Sequence, residues 1–180
     1  MLKTISTKPV ILFGILILAA MLRLYNLGSY PALNADEAAL GYNAYSLLQT
    51  GKDEHSNAWP LQFQSFNDFK PGLVVYLVLP MVKLFGLNEW SVRILPALIG
   101  IVSVYILFLL AKELSKNKYM PYVAAVLLAV SPWHIHFSRG GWESNVATFF
   151  ILLGVLMLFK SLHYSKYLLW SVVPFVLSLY

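Results

Sequence analysis

Apolar residues in this chain fall in long blocks separated by short polar joins, and block length carries the first inference. The blocks at Pro9 to Tyr25, Trp90 to Ala111, Met120 to Phe137 and Asn145 to Phe159 approach the length of a membrane crossing, which takes about 17–25 helical residues. A fifth, Tyr167 to Tyr180, runs to the last residue. They predict transmembrane helices at about 9–27, 90–111, 120–137, 145–160 and 167–180, with an external loop over 28–89. A sixth block, Pro71 to Phe85, is shorter and carries Pro80 and Lys83, which suits an interfacial or re-entrant helix better than a crossing. The expected fold is all-α, a polytopic transmembrane helical bundle with external juxtamembrane amphipathic helices. No internal repeat interrupts it, and the last block has no polar flank, so residues 1–180 read as the N-terminal part of a longer module.

Composition agrees with lipid as the solvent. Apolar residues make up 59% of the chain and charged residues 12%, with a mean hydropathy of +0.68; a soluble domain has about 45–50% and about 25%. Cysteine is absent, which removes disulfides and thiolate metal sites from consideration. The net charge of +5 is scattered among apolar runs with no basic groove or stacking motif, so nucleic acid is not an expected partner.

Charge placement sets the topology. With the N-terminus cytoplasmic and Pro71 to Phe85 not crossing, Lys3, Lys8, Lys112, Lys116, Lys118, Lys160 and Lys166 all fall in short cytoplasmic segments. Arg23, Lys52, Lys70, Lys83, Arg93 and Arg139 are left on the far side, spread over a longer stretch. This obeys the positive-inside rule, and a crossing at Pro71 to Phe85 would break it at Lys112 to Lys118. The first block lacks a small-x-small cleavage site and reads as a signal anchor. The expected location is the plasma membrane.

On this topology Asp36, Glu37, Asp53, Glu54, Asp68, Glu89 and Glu143 lie outside and only Glu113 lies inside. Carboxylate chemistry therefore belongs to the outer face. Asn34-Ala35-Asp36-Glu37 opens a helical pattern with Leu40, Ala44, Leu47 and Leu48 on one face and Gly51 as its stop. Asn34 and Glu37 have the spacing of a capping box. Asp36 is not needed for the box, and it is a candidate general base for an acceptor hydroxyl or amine. Lys70, beside Pro71 at the start of the short helix, is placed either to meet a phosphate or to snorkel to the headgroups. Ser131 to Asn145 is the most polar join between spans. Its Trp133 and Trp142 suit the interface, and Arg139 precedes Glu143 by one helical turn. His134 and His136 are spaced i, i+2, which puts them on different helical faces, so no metal site is assigned to them.

Taken in order, these pieces resemble the N-terminal region of the glycosyltransferase C superfamily, in its protein mannosyltransferase-like branch, which also holds the lipid A aminoarabinose transferases. The resemblance covers roughly residues 10–160. It runs through Asp36-Glu37, Phe69-Lys70-Pro71-Gly72-Leu73, the stretch Leu84 to Pro96 and the external Ser131 to Asn145. It implies catalytic carboxylates at Asp36, with Glu37 beside it, and at Glu143. Aminoarabinose-branch members commonly have Asp at this second position, one residue further from the arginine, so Glu143 departs from their pattern. It also implies that Lys70 faces the donor phosphate, with Arg139 as a second substrate-binding cation. No cofactor is assigned; a divalent metal is compatible, since some relatives use one.

The activity these features imply is transfer of a sugar from a polyprenyl-phosphate donor to an acceptor (protein, lipid or glycan) on the outer face, with inversion, among membrane lipids. Two alternatives belong to other classes. A transporter or flippase component would place ionisable residues near the bilayer midplane, whereas here they cluster at one face. A non-catalytic lipid-binding subunit would tolerate joint replacement of Asp36, Lys70 and Glu143.

Overall fold

A computed structural model of the chain describes residues 7–65 and 68–180. Lys3 lies outside the described residues. The elements are α1 (Thr7–Leu24), α2 (Ala35–Thr50), β1 (Gln62–Ser65), β2 (Asp68–Pro71), α3 (Leu73–Phe85), α4 (Glu89–Leu114), α5 (Met120–Val130), α6 (Pro132–Ser138), α7 (Glu143–Ser161) and α8 (Lys166–Leu177).

The fold is mostly helical, and α4 is its axis. That helix packs against α1, α2, α3, α5, α6 and α7, while α8 folds back along α7. At one end a core of Leu40, Leu47, Phe63, Val78, Val92 and Val146 joins α2, β1, α3, α4 and α7. Further along α4, Ile15, Ala19, Val104, Phe108, Ala125 and Ala129 join α1 and α5 to it. Side chains facing away from these cores remain apolar, with Phe13 65%, Leu127 64% and Leu169 80% exposed. Such wide apolar faces on several helices fit a hydrocarbon surround.

By length and composition, α4 and α7 are able to cross a membrane, and α5 with α6 makes a third span if the bent pair counts as one. The described part of α1, together with α3 and α8, forms shorter apolar helices. Length thus agrees with the short reading of Pro71 to Phe85 but does not separate it from the first and last predicted spans.

Three local features differ from expectation. First, the run Met120 to Phe137 is not one helix but bends by 61° between α5 and α6. Pro132 has no N–H to give the Leu128 carbonyl one turn back, and Ser131 starts a new helix by accepting from the His134 N–H. Second, the external loop contains an antiparallel hairpin, with Phe63 opposite Lys70 and Ser65 opposite Asp68. Four-residue strands are too short for their alternation to stand out in the sequence. Third, Pro71 closes β2 and Gly72 caps α3, so the proline is not the first helical residue. The Gly72 N–H instead donates to the Leu61 carbonyl at 3.0 Å. A Cβ on Gly72 would stand 2.6 Å from that carbonyl oxygen.

The break between α5 and α6 is held by a cation. Arg23, at the end of α1, is fully buried and donates to the carbonyls of Ala129 at 3.0 Å and Leu128 at 3.2 Å. Carbonyls freed at a helix break need such donors, and Arg23 supplies them where the proline does not. Its guanidinium also donates to His134 Nδ1 at 2.9 Å, which uses the imidazole as an acceptor.

Candidate active site

Helix α2 positions the first two acidic residues. The Asn34 side chain accepts from the Glu37 N–H and the Glu37 carboxylate accepts from the Asn34 N–H, completing the expected capping box. Gly51 ends the helix at φ 71, a left-handed conformation that glycine adopts without steric cost. Adjacent residues on a helix point about 100° apart, so Asp36 and Glu37 face different surroundings.

Glu37 faces inward and is 1% exposed. Arg93 of α4 grips it with Nε at 2.7 Å and Nη2 at 2.9 Å, and the Gly141 N–H donates to it at 3.1 Å. The same guanidinium donates from Nη1 to the Leu27 carbonyl at 3.0 Å. Glu37 therefore binds the start of α2, the start of α4 and the turn before α7 into one network. Each of its oxygens accepts from at least two donors. Both carboxylate oxygens of Glu37 are thus engaged by the fold itself.

Asp36 faces the other way and forms an ion pair with Lys70 of β2. Both line a small cavity of about 30 Å³, room for about one water, whose wall also contains Glu143, Ser65, Asn43 and Gly141. Apolar side chains, among them Phe63, Val74 and Val75, close its floor. Glu143 opens α7, and among the described residues its carboxylate has no hydrogen-bond or ion-pair partner. Three residues singled out separately in the sequence thus meet at one cavity.

Arg139 goes elsewhere. Its Nη1 donates to the carbonyls of Leu22 and Arg23 at 3.0 and 3.2 Å, and Nη2 to that of Tyr30 at 2.8 Å. The first two are carbonyls at the end of α1, which has no further turn to satisfy them. Arg139 is 7% exposed, does not line the cavity, and forms no ion pair with Glu143 among the described residues. It acts as a strut from α6 to the α1–α2 connection. His134 is buried against Arg23 while His136 is exposed beside Trp142, so the two imidazoles diverge as their spacing implies. No group of three His, Asp or Glu side chains gathers at metal-binding spacing among the described residues.

Two elements of the site lay outside the sequence reading. The Arg93–Glu37 clasp was signalled only by a cation at the start of a long apolar run, where a charge needs a partner. Ser65 gave no signal, because it enters the cavity through a hairpin that the sequence did not reveal.

Comparison with known proteins bears on what this arrangement serves. The family model described as dolichyl-phosphate-mannose-protein mannosyltransferase matches residues 13–177. "Putative mannosyltransferase YycA" of Bacillus subtilis is 28% identical over 78% of this chain and 22% of its own length. "Putative mannosyltransferase YkcB" of the same organism is 26% identical over 92% of this chain and 22% of its own. An uncharacterized protein of Aquifex aeolicus is 26% identical over 87% of this chain and 31% of its own length. The chain thus spans between about a fifth and a third of these curated relatives. No solved structure matches it significantly. With nearly its whole length under that model, the chain belongs to the dolichyl-phosphate-mannose-protein mannosyltransferase family, within the glycosyltransferase C superfamily.

Proposed function

We propose that this chain forms the donor-phosphate and catalytic part of a membrane glycosyltransferase that takes its sugar from a polyprenyl phosphate and delivers it on the outer face of the plasma membrane. The observation that carries the reading is the convergence of Asp36, Lys70 and Glu143 on one cavity, from three separate elements. The family description names a dolichyl-phosphate sugar, and the names of the Bacillus relatives point to mannose.

In this reading α1, α4, the α5–α6 pair, α7 and α8 cross the bilayer, the N-terminus is cytoplasmic, and α2, the hairpin and α3 lie along the outer interface. The lipid tail stays in the bilayer while the phosphate reaches Lys70. As the sugar–phosphate bond breaks, its electron pair leaves with the phosphate, whose growing charge Lys70 stabilises. The arriving phosphate draws Lys70 from Asp36, and the released carboxylate takes the proton of the acceptor hydroxyl or amine as that group attacks the anomeric carbon. Attack opposite the leaving group inverts the anomeric centre. Glu143, unpaired at the cavity wall, orients a hydroxyl of the sugar or acceptor. Glu37 and Arg139 hold the frame and do not touch substrate.

The test is transfer from a polyprenyl-phosphate sugar by the full-length protein carrying Asp36→Asn. Loss of turnover with the protein still folded supports the reading, and wild-type turnover removes Asp36 from the chemistry.

A further inference from the structure

The cavity contains one polar group that neither the fold nor the mechanism above uses. Ser65 is 4% exposed, and among the described residues its hydroxyl has no hydrogen-bond partner. A buried hydroxyl left unpaired loses its hydration without recompense, so such groups in folded proteins call for an explanation. Ser65 also lines the cavity that holds Asp36, Lys70 and Glu143.

Strand geometry explains how it gets there. Side chains two apart on a strand share a face, so Phe63 and Ser65 point the same way, and both are buried. Their cross-strand partners are Lys70 and Asp68. Ser65 and Lys70 are therefore diagonal neighbours on one face of the hairpin, about 7–8 Å apart along the backbone. A long lysine side chain and a short serine, converging from such positions on one small cavity, can both reach an oxygen of an anion that enters it.

Charge makes the need plain. Among the described residues lining the cavity, Lys70 is the one cation, against two carboxylates, and Arg139 is committed to backbone carbonyls. A phosphate here meets more negative than positive charge. A neutral hydroxyl adds a donor without adding a desolvated charge.

We infer that Ser65 is a donor-binding residue whose hydroxyl donates a hydrogen bond to an oxygen of the lipid-linked phosphate held by Lys70. The inference rests on the proposed donor site and adds the second arm of a phosphate clamp to it. It accounts for the unpaired hydroxyl as a group that finds its partner only in the loaded site.

The experiment measures the affinity of a short-chain polyprenyl phosphate, together with the melting temperature, for full-length wild type, Ser65→Ala, Ser65→Thr, Ser65→Val and Lys70→Ala. Threonine and valine have nearly the same shape and differ in the hydroxyl. Losing a hydrogen bond to a charged group predicts that Ser65→Ala and Ser65→Val weaken binding about tenfold or more, while Ser65→Thr stays near wild type. Removing an unpaired buried hydroxyl predicts a melting temperature that does not fall in Ser65→Ala. Unchanged affinity in Ser65→Ala, with Lys70→Ala weakened, overturns the inference and leaves the donor site standing. Affinity and melting temperature falling together in Ser65→Ala, without rescue by threonine, make Ser65 a packing residue and also overturn it. A wild-type protein that binds no polyprenyl phosphate overturns both this inference and the proposed function.

Discussion

The Arg93 guanidinium meets the Glu37 carboxylate through two hydrogen bonds, 2.7 and 2.9 Å long, where both side chains are 1% exposed. One neighbour of this clasp along the chain is Asp36, and the Gly141 N–H that joins it lies two residues before Glu143. The clasp therefore fixes the spacing of the two cavity carboxylates while using the acidic residue between them as structure.

That arrangement predicts a stability defect for Glu37, not a purely chemical one. Removing one member of a buried ion pair strands the other, at about 3–5 kcal/mol. Glu37→Ala and Arg93→Met are each expected to lower the melting temperature markedly. Contacting pairs are non-additive, so the double variant should be less unstable than the two single losses summed. Additive losses in the thermal-melt cycle would contradict the clasp.

Asp36 and Lys70 should behave in the opposite way. Their side chains are 39% and 20% exposed, and partly exposed ion pairs contribute about 0–1 kcal/mol. Asp36→Asn is expected to melt near wild type yet to lose about 10²–10⁴-fold in turnover, the usual size of general-base catalysis. A stable variant with full turnover, or an unstable one, would each break that prediction.

Arg23 is expected to matter for the α5–α6 bend and not for chemistry. Arg23→Met leaves the Leu128 and Ala129 carbonyls without their guanidinium donors beside a proline break, at a cost of about 1–3 kcal/mol for each carbonyl. The melting temperature should fall. Restoring an N–H at the break with Pro132→Ala should recover part of that loss, as measured on the double variant.

Gly72 sets where Lys70 stands. Because a Cβ there would collide with the Leu61 backbone, Gly72→Ala must push the hairpin away from α3. Donor affinity should fall several-fold with little change in the helical circular-dichroism signal.

Much of this was legible in the sequence, and the gaps have physical causes. The α2 pattern from Asn34 to Gly51 was readable because capping, periodicity and a glycine stop all agree within one segment. The long apolar blocks announced helices, and their charged flanks marked the polar residues that later share a cavity. What stayed hidden depends on partners far along the chain. Arg139 and Glu143 have the spacing of a helical pair, yet a helix break at Arg139 sends that guanidinium to the carbonyls of Leu22, Arg23 and Tyr30. Pro132 lies inside the block read as one span, Met120 to Phe137, whose apolar length outweighed the polar Ser131, His134 and His136 at its end. The hairpin that delivers Ser65 and Lys70 is too short for its pattern to register.

The most direct test is a structure of the full-length protein in lipid with a polyprenyl phosphate bound. The account predicts the phosphorus within about 4 Å of Lys70 Nζ, a salt-bridge distance, with Asp36 released from Lys70 and facing the open side of the cavity. A phosphate lodged elsewhere, with the Asp36–Lys70 pair intact, would contradict it.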